Sequence, residues 1–149
     1  MSFVDKYYIS LISACIGAVS GLVAAYWRTR YTVKSQDLSK RLEDLCDSIE
    51  KLEEIACDYW GLDIEKKPSQ HYILGYKTKI SLLVTYLDEE YTQFSKDEIS
   101  ESLAEFFRAC TGGDFESAKD KQEPERQRRI LINGEKLKIE LLKTRNKLY

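Results

Sequence analysis

The chain has 149 residues with 23 basic and 25 acidic side chains, and its net charge of −2 excludes the cationic excess of a dedicated nucleic-acid binder. Its four cysteines (Cys15, Cys46, Cys57, Cys110) form no CxxC pair, and His71 is the single histidine, which argues against a disulfide framework, a cysteine–histidine metal knuckle and most nucleophile–base chemistry. Only 7 glycines and 2 prolines interrupt a composition rich in leucine, lysine and glutamate, so the expected fold class is all-α.

Residues 7–27 carry no charge. Such a run, at ~1.5 Å rise per residue, matches a ~30 Å hydrocarbon layer, and Tyr7, Tyr8, Tyr26 and Trp27 stand at its ends as interfacial rings do. The reading is one N-terminal transmembrane helix. It is retained rather than cleaved, because bulky Tyr26 and Trp27 precede Arg28 where a signal peptide would have small residues. Arg28, Arg30 and Lys34 follow the run and only Lys6 precedes it. That bias predicts a single-pass protein of the cell inner membrane, with residues 1–6 outside and the C-terminal domain cytoplasmic.

On a wheel of ~100° per residue the run divides into two faces. Ile9, Leu11, Ile12, Ile16, Val19, Leu22 and Val23 gather on one half, with Cys15 among them. The other half holds Ser10, Ser13, Ala14, Gly17, Ala18, Ser20, Gly21, Ala24 and Ala25, within which Gly17 and Gly21 form a GxxxG. Small residues let helix backbones approach closely, so this half is the expected oligomerisation face, with membrane lipid covering the other.

Residues 28–35 form a basic juxtamembrane linker without proline or glycine, and residues 36–149 the helical domain. Leu38, Leu42, Leu45, Ile49, Leu52, Ala56 and Tyr59 alternate spacings of four and three, an a/d stripe that ends at Trp60-Gly61. Pro68 is placed as the first residue of a second helix, with Ile73, Tyr76, Ile80, Leu83, Leu87, Tyr91 and Phe94 inward. Ser95 with Glu98 reads as a capping box opening a third, which buries Ile99, Leu103, Phe106, Phe107 and Cys110 and stops at Thr111-Gly112-Gly113. Pro124 starts a fourth, with Ile130, Leu131, Leu137, Leu141, Leu142 and Leu148 inward and Gly134 as an irregularity. Four amphipathic helices on short connections bury their stripes as a four-helix bundle, and a parallel coiled coil between chains is the competing use of the first stripe.

Charge separates these helices. Residues 37–65 hold ten acids and three bases, residues 125–149 eight bases and three acids. The first and last helices are therefore expected to attract each other within a bundle or across subunits. The basic face could also meet RNA or anionic lipid headgroups, although the overall charge makes nucleic acid the lesser expectation.

One further stretch stands out. Gly112, Gly113 and Asp114, followed by Arg126, Arg128 and Arg129, join a glycine turn to nearby guanidinium groups, and such a group can hold a phosphate or a partner's carboxylate. The simpler reading is that the glycines end one helix and Asp114 caps the next turn of chain. No Lys-Ser/Thr follows at P-loop spacing.

A single N-terminal span, a basic stop and a helical domain with a Thr111-Gly-Gly-Asp-Phe115 turn resemble small single-pass membrane proteins of bacterial genomes and prophages. The layout is also similar to the membrane-anchored accessory protein of Cas13b-type CRISPR systems, whose helical domain is of the HEPN type. HEPN ribonucleases place an arginine four to six residues before a histidine. Here Glu65, Lys66 and Lys67 stand before His71, so the resemblance implies no nuclease. Together with the small-residue face and the lack of a catalytic or metal constellation, the expected protein is a non-enzymatic, homo-oligomeric inner-membrane protein without cofactor or metal, acting as a membrane-perturbing effector or accessory protein of phage defence. The alternative is a membrane tether or adaptor whose helical domain docks a cytosolic protein or RNA.

Overall fold

The computed structural model describes the backbone of residues 3–62, 66–113, 115 and 122–146, and the side chains of residues 13–62, 66–113, 115 and 122–144. Its elements are α1 (Phe3–Gly61), α2 (Gln70–Glu90), α3 (Lys96–Thr111) and α4 (Pro124–Asn146). The all-α expectation holds for the described residues. The chain divides into two units, Met1–Asp37 and Leu38–Tyr149, two residues past the expected end of the linker.

The transmembrane part of the fold expectation is corrected. Among the described residues, no helix is long and apolar enough to cross a membrane. The physical reason lies in content: more than half of Ser13 to Trp27 is glycine, alanine and serine, which contribute little apolar surface. The earlier part of the expected span, Tyr7 to Ile12 with Ser10, lies outside the residues whose side chains are described.

In the second unit every residue of the first predicted stripe, Leu38 to Tyr59, is buried, and Trp60 joins it. A continuous core forms where this stripe meets Ile73, Ile80 and Leu87 of α2, Ile99 and Phe106 of α3, and Ile130 and Leu137 of α4. Neighbouring helices run antiparallel. Lys77 of α2 reaches Thr111 of α3 while Lys96 at the start of α3 reaches Asp88 near the end of α2. Ser102 of α3 bonds Glu140 of α4, and Arg126 reaches back to Gly112. The N–H of Glu123 donates to the carbonyl of Trp60 at 2.9 Å, so α4 begins where α1 ends and returns along it.

Local chemistry moves some boundaries. Helix α2 opens at Gln70 rather than Pro68, because the Ser69 hydroxyl accepts the N–H of His71 and serves as N-cap. At α3, Ser95 is the N-cap residue but its side chain makes no cap bond. Instead the carboxylate of Asp88 accepts the N–H of Lys96 at 2.8 Å, so the cap comes from the preceding helix. Leu131 and Leu142, expected inward on α4, are 54% and 41% exposed. Leu148 lies outside the described residues.

Candidate functional site

The two places singled out by sequence have different fates. In the first unit, every side chain from Ser13 to Lys34 is exposed. Gly17 and Gly21 have open space where a side chain would stand, and Ser13, Ala14, Ala24 and Ala25 lie exposed with them. On the large-residue side, Leu22 and Trp27 expose 72% and 69% of their surface. The Ser20 hydroxyl donates to the carbonyl of Ile16 in its own helix, which satisfies it without an outside partner. This surface can associate with apolar matter, and it holds no group able to do covalent chemistry.

The second place is assembled, but as a structural clasp. The Arg126 guanidinium lies 3.9 Å from the centre of the Trp60 ring, donates to the Gly112 carbonyl at 2.5 Å and pairs with Glu123 at 3.0 Å. A cation on an indole face is held by the ring quadrupole, and the planar guanidinium keeps its in-plane donors for the other two contacts. Gly113 has φ of +67°, a left-handed turn that glycine adopts without strain. A side chain there would also come within 3.0 Å of the guanidinium. The Gly112 N–H is spent on the Arg108 carbonyl. Arg128 and Arg129 are exposed elsewhere on α4, and Asp114 lies outside the described residues.

The clasp closes an aromatic cluster. Trp60 Nε1 donates to the carbonyl of buried Cys110 at 3.0 Å, and the Tyr59 hydroxyl to that of Phe115 at 2.8 Å. The Tyr59 and Trp60 rings meet edge to face at 5.2 Å. Burial raises the Tyr59 hydroxyl and pushes the Cys57 thiol up to about 11, while Cys110 rises further. None of these groups is an activated nucleophile.

A third site was missed by sequence reasoning. Buried Glu53 of α1 meets Lys138 of α4 at 3.4 Å, and Lys138 also reaches Glu50 at 3.6 Å and Glu135 at 3.0 Å. Burial raises the Glu53 carboxyl and the ammonium of Lys138 opposes that rise. For Lys138 burial acts downward, but hydrogen bonds and charge from Glu135 and Glu53 outweigh it and the group is raised. One oxygen of Glu53, Oε1, has no partner and sits where a side chain at position 134 would be. Gly134 is therefore the seat of the carboxylate, and the only warning in the sequence was a glycine inside a helix otherwise well formed.

Among the described residues no group of histidine, cysteine and carboxylate side chains could hold a metal ion. Compared with known proteins, the chain matches no family model, no curated protein and no solved structure.

Proposed function

We propose that the chain is a non-enzymatic assembly protein: residues 13–27 draw copies together through their small-residue face, and the helical bundle responds to or recruits a partner. One observation carries this reading. An uncharged helical segment exposes Ile16, Val19, Leu22, Val23 and Trp27 by half or more, beside a face where two glycines leave the backbone open. Apolar area of this kind is unfavourable in water by ~25 cal/mol per Å² and needs a cover. A second copy fits, because glycine and alanine faces let two helix backbones pack closely.

The test is disulfide trapping. In a Cys15→Ala background, Ala24→Cys on the small face should give rapid oxidative dimers of the full chain. Adding Gly17→Ile and Gly21→Ile should abolish them. Dimers formed equally well by the isoleucine variant would overturn the reading.

A contact with lipid is the second reading, favoured by Tyr26, Trp27 and Tyr31 lying exposed among Arg28 and Arg30. Rings of this type settle at headgroup level, and basic residues add ~1 kcal/mol each near an anionic surface. Flotation with phosphatidylserine vesicles, but not with phosphatidylcholine vesicles, would support it. An Arg28→Glu, Arg30→Glu variant that floats unchanged would remove it.

A further inference from the structure

The outer face of α4 is one part of the bundle that its own core does not explain, with Tyr72, Leu74, Leu82 and Tyr86 of α2 another. Ile132, Ile139 and Leu142 are each more than 40% exposed although they sit on a well-packed helix. With Arg128 and Glu135 they occupy successive spacings of four, three, four and three, a second a/d seam on the side of α4 away from the core. Ile132 and Ile139 take the a positions, and Leu142 shares the d positions with Arg128 and Glu135.

Charge says what lies against it. On one flank of the seam stands the acidic side of α1, where Glu43, Asp47 and Glu50 edge a groove of about 270 Å³ shared with Leu142 and with Lys138, which already reaches Glu50. On the other flank, at e positions of the same heptads, stand Arg129, Lys136 and Lys143. Lys136 there keeps only a long 3.9 Å contact to Glu105, between two well-exposed side chains. The surface is thus an apolar strip with an acidic border on one side and a basic border on the other. Such a strip complements itself under one symmetry only. A two-fold axis running along α4 sets each acidic border against the partner's basic border. An axis across α4 would set acid on acid and base on base, which is unfavourable.

We infer that the outer seam of α4 is a parallel, isologous docking surface for the same seam of a second copy, with Asp47 and Glu50 of each chain facing Arg129, Lys136 and Lys143 of the other. The inference deepens the assembly reading by giving the bundle its own contact, and it rests on α4 and α1 of the second unit alone. Few residues take part, so the contact is weak between free chains and gains from anything that raises their local concentration.

Trapping in the full chain tests it. In a Cys15→Ala, Cys46→Ala background, Ile132→Cys and Ile139→Cys are made singly. Each lies near the parallel axis and meets its own copy, so each should form dimers about tenfold faster than Leu82→Cys, a more exposed site on α2, because docking raises the effective thiol concentration. The two rates should fall when Lys136→Glu and Lys143→Glu are added, and recover with Asp47→Lys and Glu50→Lys. Dimers no faster than the Leu82→Cys control would overturn the inference. So would an antiparallel result, in which Ile132→Cys couples to Leu142→Cys but not to itself. Repeating the series with Gly17→Ile and Gly21→Ile separates the two contacts: α4 dimers that persist there belong to the bundle, whatever becomes of the first unit.

Discussion

Glu53 and Gly134 are two halves of one fitted joint. An alanine Cβ at position 134 would lie 1.7 Å from Glu53 Oε1 and 2.6 Å from its carboxyl carbon. By intrinsic propensity Gly134→Ala should stabilise α4 by ~1 kcal/mol. Here the clash and the displaced buried carboxylate reverse the sign, and a loss of about 2 kcal/mol is expected. Chemical denaturation with Glu53→Ala as the second mutation closes the cycle. The double variant should regain most of what Gly134→Ala loses, and strict additivity would sink the account.

The same carboxylate gives the bundle a pH signature. Burial holds Glu53 above its ordinary value of 4.5 in the folded chain. The folded state therefore binds that proton more tightly than the unfolded chain. Its contribution is fully present below the ordinary value and is lost as pH rises through the folded value. Glu53→Gln removes this term. The stability difference between wild type and Glu53→Gln should shift toward wild type as pH falls from neutral toward that ordinary value, and a flat difference would refute the assignment.

Arg126→Ala should cost about 1–3 kcal/mol, since it strips the Trp60 face and leaves the Gly112 carbonyl without its donor. Arg126→Lys should recover little, because an ammonium cannot stack and bond at once. In a Trp27→Phe background the Trp60 fluorescence should move to the red in both. An unchanged spectrum with lysine would show that charge alone suffices.

The thiols should label in a set order. Cys15 is exposed, Cys57 is half-buried and held up to about 11, and Cys110 is buried. The shift leaves Cys57 with roughly a hundredfold less thiolate than an ordinary cysteine at the same pH. Mass-resolved alkylation at about pH 8 should modify Cys15 in the native chain and Cys110 only after unfolding. Early labelling of Cys110 would contradict the packing of Trp60 on its carbonyl.

Much of this fold could be read from periodicity. The α1 stripe from Leu38 to Tyr59 was legible because a long 3.6-residue pattern has one way to face a core. The start of α4 at Pro124 was legible for an equally local reason. What failed depended on partners distant in sequence. Nothing near Ser95 says that Asp88 will supply its cap, and nothing near Gly134 says that Glu53, 81 positions earlier, needs the room. Leu131 and Leu142 carry an inward residue type on an outward angle, and residue type alone decided the expectation. The arginines after the glycine turn had the right chemistry for an anion, yet Arg126 was already claimed by Trp60. The expected transmembrane helix rested on a run of uncharged residues, a criterion that weighs an alanine or serine face as heavily as a leucine one.

The meeting of Glu123 with Trp60 has a kinetic side. Among the described residues, the α2–α3 and α3–α4 seams join helices that are neighbours along the chain. The seam between α1 and α4 instead ties residues some 63 to 85 positions apart. Ring closure over that distance loses the most chain freedom, so it should come last in folding and open first under mild denaturant. Amide exchange would then find the exposed edge of α4 less protected than the middle of α2, and the seam that seals the bundle would also be its hinge point for partial opening.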